Sequence, residues 1–371
     1  MIILSVLLVL QIIIFSLFLI TSFHQRRIFN KETSNFIAEN SISEIAVIIA
    51  AKEKYEMLES CLNSVYQSGF SDVVLCLDCV EQKLYNKIQK RFPTIKLLNN
   101  KQSLGKIKSQ IECLKLVNKT DILVLDADIT LNQNEIQSFV KYYFYKRCDF
   151  LCPYSKGISE KGNSVLFGIA ESDRYMRQRI IRAGRDAFGV SNLSGYCMLA
   201  NKQKYLSIID SDAIQDDVIA TINVFKKGYN IKTYHKSVCF EEERSSLIPF
   251  ILQKTRWTAG NILLLPSYPK LFISIPFKKS IAYTSSFLLW YWSLWIDFIV
   301  IMYSFYNPII LIILLVEYLI KYIGLIKTSD FKFSFLFNII YIFVWPFISF
   351  LCLLLSPFFI CGKISEKKTR R

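Results

Sequence analysis

The sequence predicts an α/β domain with a doubly wound, mostly parallel sheet, flanked at both ends of the chain by segments that cross a membrane. Three observations predict it. Short apolar runs of strand type alternate with helix-type runs between residues 45 and 125, an order that builds parallel sheets with helices on both faces. Residues 1–23 carry no charged side chain, and residues 280–362 carry few. The 371 residues are 52% hydrophobic and 15% aromatic, with a mean hydropathy of +0.32. That composition excludes a disordered chain, a collagen-like repeat and a small disulfide scaffold.

The elements follow in order. Met1–Phe23 is long enough to span a hydrocarbon core of about 30 Å. It lacks the basic start and small-residue cleavage site of a secretory signal, so residues 1–23 are expected to be an uncleaved anchor. Arg26, Arg27 and Lys31 follow it and place the next domain in the cytoplasm. Ile45–Ala50, Asp72–Leu77, Thr94–Leu98 and Asp121–Leu125 read as strands. Tyr55–Tyr66, about Glu81–Lys90 and Lys106–Leu116 read as helices. The soluble domain is expected over residues 24–246. Residues 247–279 mix apolar and basic side chains with prolines at 266, 269 and 276; they fit short interfacial helices, or a linker packed on the domain.

Residues 280–362 are expected to form about three spans, Ile281–Phe305, Pro308–Ile326 and Phe333–Cys361, ahead of a basic tail at 363–371. Pro346 and Pro357 would kink the last span or end it early. Three passes leave the tail outside, against the positive-inside rule, unless that segment is a re-entrant pair. Asp297, Glu317 and Lys321 are costly in lipid. They line a passage through the membrane, or Glu317 and Lys321 pair at i,i+4.

The net charge is +15, spread rather than clustered. With no helix-turn-helix or finger pattern, this suits an anionic leaflet and not nucleic acid. The ten cysteines are scattered and read as reduced, buried thiols. A four-thiolate zinc site from Cys76, Cys79, Cys148 and Cys152 is the alternative, although strand alternation turns the first pair apart. Two histidines in the whole chain leave no triad signal.

Ligands of doubly wound sheets bind at the carboxyl ends of the strands. Glu53 follows the first strand, Asp78 the second, and Asp126-Ala127-Asp128 the fourth. No glycine-rich phosphate loop follows any strand. A nucleoside diphosphate would then be held through a divalent metal, Mg or Mn, on Asp126 and Asp128. Asp78 and Glu53 would accept hydrogen bonds from the nucleoside.

This order of residues resembles the family 2 glycosyltransferases of the GT-A fold, the group of cellulose, hyaluronan and poly-N-acetylglucosamine synthases, from about Glu44 to Asn261. Val47–Glu53 is similar to the family's opening strand, Leu104-Gly105-Lys106 to its Gly-Lys station and Asp126-Ala127-Asp128 to its D-x-D. Ser194–Leu199 is similar to its acceptor-side glycine segment. Gln215-Asp216-Asp217 is similar to its Glu-Asp station, and Gln253-Lys254-Thr255-Arg256-Trp257 to its Q-x-x-R-W signature. The resemblance implies Asp217 as general base. It implies Glu53, Asp78, Lys106, Asp126, Gln253 and Arg256 on the donor, and Gly195, Tyr196, Asp216 and Trp257 on the acceptor.

Locally, Asp217 also reads as a helix N-cap and Trp257 as an interfacial anchor. The implied activity is inverting transfer from a UDP-sugar to a growing polysaccharide, with export, by a multi-pass protein of the cell membrane. Addition of one sugar to a lipid, as by ceramide glucosyltransferases, is the alternative. A non-catalytic sugar-binding or scaffold protein comes third.

Overall fold

A computed structural model describes residues 2–34, 42–52, 55–159, 164–210, 216–243, 246–264, 269, 273–287, 293–330 and 334–369. The chain divides into two compact units. One comprises Arg26–Ile158 and Ser191–Glu242, the other Met1–Gln25, Ser159–Val190 and Glu243–Arg371.

The first unit holds the sheet. Its strands are β1 (Ile45–Ala51), β2 (Asp72–Leu77), β3 (Lys96–Asn99), β4 (Asp121–Asp126), β5 (Ile129–Leu131), β6 (Phe150–Ile158), β7 (Cys197–Asn201) and β8 (Ile231–Glu242). They run in the order β3-β2-β1-β4-β7-β6-β8-β5. The first four are parallel, as expected. β7 is antiparallel to both β4 and β6, and β5 is antiparallel to β8. The second half of the sheet is therefore mixed.

β1 lies between β2 and β4, which is why Ile45-Ala-Val-Ile-Ile is apolar without alternation: both faces are covered. Alternate residues Val47, Ile49, Leu75, Leu123 and Leu125 join one core with helices α2 (Tyr55–Gln67) and α5 (Ile136–Lys146), through Leu58, Leu62, Val65 and Phe139. Helix α4 (Lys106–Lys115) packs on β1 and β2. The register sets Ala51 beside Leu77, Ala50 beside Asp126, and Leu77 beside Asn99. The carboxyl ends of β1 to β4 are thus level.

The second unit is helical. The first helix, α1, runs Ile2–Thr33, ten residues past the expected end, because no proline or glycine interrupts the chain before Thr33. Among the described residues three helices are long and apolar enough to cross a membrane: Ile3–Thr33, Pro308–Thr328 and Ser334–Cys361. The expected span Ile281–Phe305 instead falls on helices Phe277–Phe287 and Ser293–Ser304, with residues 288–292 outside the described set. The last segment is one helix, Ser334–Thr369, with Pro346 and Pro357 inside it; this corrects both the early end and the re-entrant pair. Proline is tolerated there because packing neighbours and local adjustment satisfy the freed backbone groups.

Within 247–279 the described residues include one helix, Leu247–Leu264, which ends before Pro266 and carries Pro249 in its first turn, where no amide partner is lost. The intervening segment Ser159–Val190 carries a helix Val165–Tyr175, a π-helical turn Met176–Arg182 and a short helix Ala183–Asp186. Gly184 packs on Phe18, and a Cβ there would stand 2.6 Å from the Phe18 carbonyl oxygen.

Polar groups inside this unit bind one another. Gln11 Nε2 donates to Asp297 Oδ1 at 2.6 Å and Glu317 Oε1 at 2.5 Å. Lys321 Nζ lies 2.7 Å from Asp297 Oδ2 and 2.6 Å from Glu317 Oε1. The i,i+4 pair is real, and Asp297 and Gln11 complete it.

Candidate active site

Asp78 directly follows β2, and its amide donates to the Ala51 carbonyl at 2.8 Å. Cys79 then takes a left-handed φ of 65°, which turns the chain off the sheet. This leaves the Asp78 carboxylate buried, where it accepts from the Leu104 amide at 2.6 Å, Ser103 Oγ at 2.8 Å, the Gly105 amide at 3.0 Å and Asn100 Nδ2 at 3.2 Å. Burial pushes the carboxyl upward, but these donors outweigh it and hold Asp78 below the usual aspartate value. Gly105 has φ 84°, a conformation open to glycine, and is the N-cap of α4. Asp78 therefore fixes the backbone that delivers Lys106.

Lys106 Nζ is 2.6 Å from Asp126 Oδ1 and 2.8 Å from the Gly195 carbonyl oxygen. Asp126 closes β4, and its amide donates to Tyr196 O at 2.9 Å. Asp128 is exposed in the tight turn to β5. With α3 (Gln82–Arg91), α6 (Val165–Tyr175), α7 (Ala183–Asp186) and α8 (Lys202–Ile208) counted along the chain, Asp217 is the second residue of α9 (Asp216–Lys226). Thr221 Oγ1 donates to the Asp217 carbonyl at 2.7 Å and accepts from the Leu193 amide at 3.0 Å, tying α9 to the glycine segment. The ideal Cβ position of Gly195 is 3.7 Å from Asp217 Cβ and 3.9 Å from both Asp217 Oδ2 and Lys106 Nζ. Lys106, Gly195 and Asp217 line one open cleft with Ile107, Leu193 and Met198.

The structure thus gathers Lys106, Asp126, Gly195 and Asp217 at one rim of the sheet, beside the Asp78 loop. Tyr196 is half-buried, with its hydroxyl donating to the Pro153 carbonyl at 2.8 Å. Asp216 opens α9, and Glu53 lies outside the described residues. Gln253, Arg256 and Trp257 share the helix Leu247–Leu264 in the other unit. There the Trp257 ring has Lys254 Nζ 4.2 Å and the Arg177 guanidinium 5.2 Å from its centroid. Lys254 pairs with Asp173 at 2.9 Å; burial pulls its ammonium down to about 8, against the opposing pull of Asp173. Sequence reasoning passed over Asn100, Ser103 and Thr221, because small polar residues are common in turns and helices and nothing local marks these three.

The donor set fits a hard divalent cation. Asp126 and Asp128 offer carboxylate oxygens two residues apart on one turn, and Asp126 Oδ1 already carries a cationic partner. Among the described residues no third His, Cys, Asp or Glu joins them. The remaining ligands would be substrate phosphate oxygens and water, the usual shell for magnesium.

A mixed sheet with parallel strands at one end, closed by a D-x-D turn with a lysine beside it, is the architecture of the GT-A fold. The chain belongs to glycosyl transferase family group 2, whose profile matches residues 122–360, and it is a glycosyltransferase. Its structure is similar to that of the mannosyltransferase PcManGT from Pyrobaculum calidifontis in complex with GDP-Man and Mn2+, with a TM-score of 0.60 at 12% identity over 96% of this chain and 98% of that one. A likeness of TM-score 0.40 relates it to S. aureus TarS 1-349 in complex with UDP-GlcNAc, at 16% identity over 58% of this chain and 66% of that one. Another, of 0.42, relates it to GalNAc-T7 with UDP, GalNAc and Mn2+, at 13% identity over 60% and 48%. No curated protein sequence matches the chain.

Proposed function

We propose that the protein transfers one sugar from a UDP-sugar to an acceptor held in the membrane, with inversion, from a catalytic unit on the cytoplasmic face of the cell membrane. The observation that carries the reaction is the convergence of Asp217, Gly195 and Lys106 on one cleft, with Asp126 paired to the Lys106 ammonium. An acceptor hydroxyl attacks the anomeric carbon. Its proton passes to the Asp217 carboxylate, and the bond to the diphosphate breaks with its electrons leaving on the nucleotide. A single displacement inverts the anomeric centre. Lys106 supplies positive charge for the departing diphosphate. A divalent metal held by Asp126 and Asp128 would neutralise charge on the same phosphates. Asp78 acts on this chemistry through the 103–105 loop, and Thr221 through the first turn of α9. Arg256 and Gln253 are assigned to the donor from the Q-x-x-R-W resemblance alone.

The lipid-side acceptor is favoured by the intramembrane charges. Asp297, Glu317 and Lys321 are 1%, 1% and 8% exposed and spend their hydrogen bonds on one another and on Gln11. Side chains lining a water-filled conduit for a polymer would keep contact with water. Polysaccharide extension is the second reading, favoured by the Gln253-x-x-Arg256-Trp257 run on one unbroken helix.

The test uses the full-length protein in lipid nanodiscs with a panel of labelled UDP-sugars and a GDP-sugar control. One lipid-extractable product, dependent on Mn2+ or Mg2+, is expected; a ladder of products would establish the second reading instead. Asp217→Asn should lower kcat at least about 10³-fold with donor binding retained. Full turnover by that variant would remove Asp217 as the base.

A further inference from the structure

Two roles meet on one oxygen. Asp126 is one of the two carboxylates assigned above to a divalent cation, and its Oδ1 lies 2.6 Å from Lys106 Nζ. The same ammonium is 2.8 Å from the Gly195 carbonyl oxygen, so it sits between the metal turn and the glycine segment that borders Asp217. An ammonium and a divalent cation on one carboxylate repel each other strongly, even where water screens them.

We infer that Lys106 is the resident counter-ion of Asp126, and that it must leave this carboxylate before a divalent cation binds there. The protein without nucleotide then takes up metal weakly. An arriving diphosphate draws the ammonium onto its own oxygens and frees Asp126 for the cation, so donor and metal enter together.

The local construction suits such an exchange. The backbone at Leu104 and Gly105 is pinned by the buried Asp78, so α4 need not move. The ion pair is partly open to solvent, the Lys106 and Asp126 side chains being 36% and 27% exposed, and a lysine head on a flexible four-carbon stem changes partners by rotamer rotation alone. The Gly195 carbonyl gives the ammonium a second acceptor on the side toward the cleft, so that release from Asp126 does not strand it. An arginine at this position would hold Asp126 more rigidly through its planar fork. The exchange moves no covalent bond and no proton.

The inference rests on the reading that Asp126 and Asp128 hold the metal. Its test is Mn2+ binding to the full-length protein in detergent without nucleotide, read from loss of the aquo-ion EPR signal. Lys106→Met should bind Mn2+ about tenfold more tightly than the parent, from removal of a neighbouring positive charge. Lys106→Arg should bind no more tightly than the parent, and Asp126→Asn added to Lys106→Met should abolish the gain. Lys106→Gln, closer in polarity, gives the same answer if the methionine variant does not fold. Unchanged or weaker Mn2+ binding in the neutral variants would overturn the inference, as would a gain that survives Asp126→Asn. These outcomes are separable from the proposed function. Parent protein that transfers sugar while Lys106→Met leaves Mn2+ affinity unchanged removes the inference alone. Tighter Mn2+ binding by Lys106→Met, with no transfer by the parent from any donor, removes the functional reading alone.

Discussion

Asp78 and Asp217 are both aspartates at element ends, yet their surroundings give them different work. Asp78 is buried and saturated by donors from the 100–105 loop, so its charge organises backbone. Asp217 borders the open cleft, and its Oδ1 accepts from the Val218 amide at 2.9 Å. Asp78→Asn should cost about 2 kcal/mol of stability, as an amide replaces a charged acceptor of several hydrogen bonds, and should raise the donor KM through a loosened Lys106. The pH dependence has a definite sign. The folded-state value of Asp78 is depressed, so its stabilisation is present above the ordinary carboxyl value near 4 and is lost as pH falls through the folded value. Thermal melts of parent and Asp78→Asn should converge as the pH is lowered through that window. A constant gap down to acid pH would show that the charge of Asp78 contributes nothing.

At the scale of elements, the helix pair α1 and Ala183–Asp186 depends on a missing side chain. A Cβ on Gly184 would meet the Phe18 carbonyl oxygen at 2.6 Å, and that atom belongs to helix backbone and cannot swing away. Gly184→Ala should therefore destabilise the protein by about 1–3 kcal/mol. Gly324→Ala, which would meet only the Leu19 and Ile180 methyl groups at 3.0–3.1 Å, should cost less; melting curves in detergent compare the two directly. The first four strands were legible because each is a short apolar run between polar helices, and the level carboxyl ends followed from parallel pairing. The elements from 159 to 190 were not. Glu171, Asp173, Arg174, Arg179 and Arg182 are buried there, and a helix so rich in charge reads as solvent-exposed until its partners are known. Two of those partners, Asp330 for Arg179 and Lys254 for Asp173, lie 151 and 81 residues away in the sequence.

At the scale of the whole molecule, Lys321 joins two carboxylates on different helices of the helical unit, Asp297 and Glu317. Lys321→Ala would leave Asp297 and Glu317 facing each other without a counter-charge, and should cost about 3–5 kcal/mol. The combined change Asp297→Asn, Glu317→Gln and Lys321→Met should recover much of that, because no bare charge remains. Equal melting temperatures for the parent and Lys321→Ala in detergent would contradict the network. The two compact units also regroup the chain in a way that no linear plan shows. Residues 159–190, which fall inside the expected soluble domain 24–246, cluster with the helices at the two ends of the chain.

From sequence alone, the α/β class, the parallel half of the sheet, the apolar helices and the order of the acidic stations could be read, because each depends on local periodicity, on length or on a short motif. Tertiary structure decided which of these residues meet. Lys106 and Asp126 form a pair because α4 packs on β1 and β2 while β1 aligns the strand ends. Thr221 matters because α9 folds back on Leu193. Gln11, a lone amide in an apolar run, finds Asp297 and Glu317 nearly three hundred residues on. Pairing over such distances is governed by burial and by the demand that every buried polar group find a partner, and no local pattern in the chain encodes it.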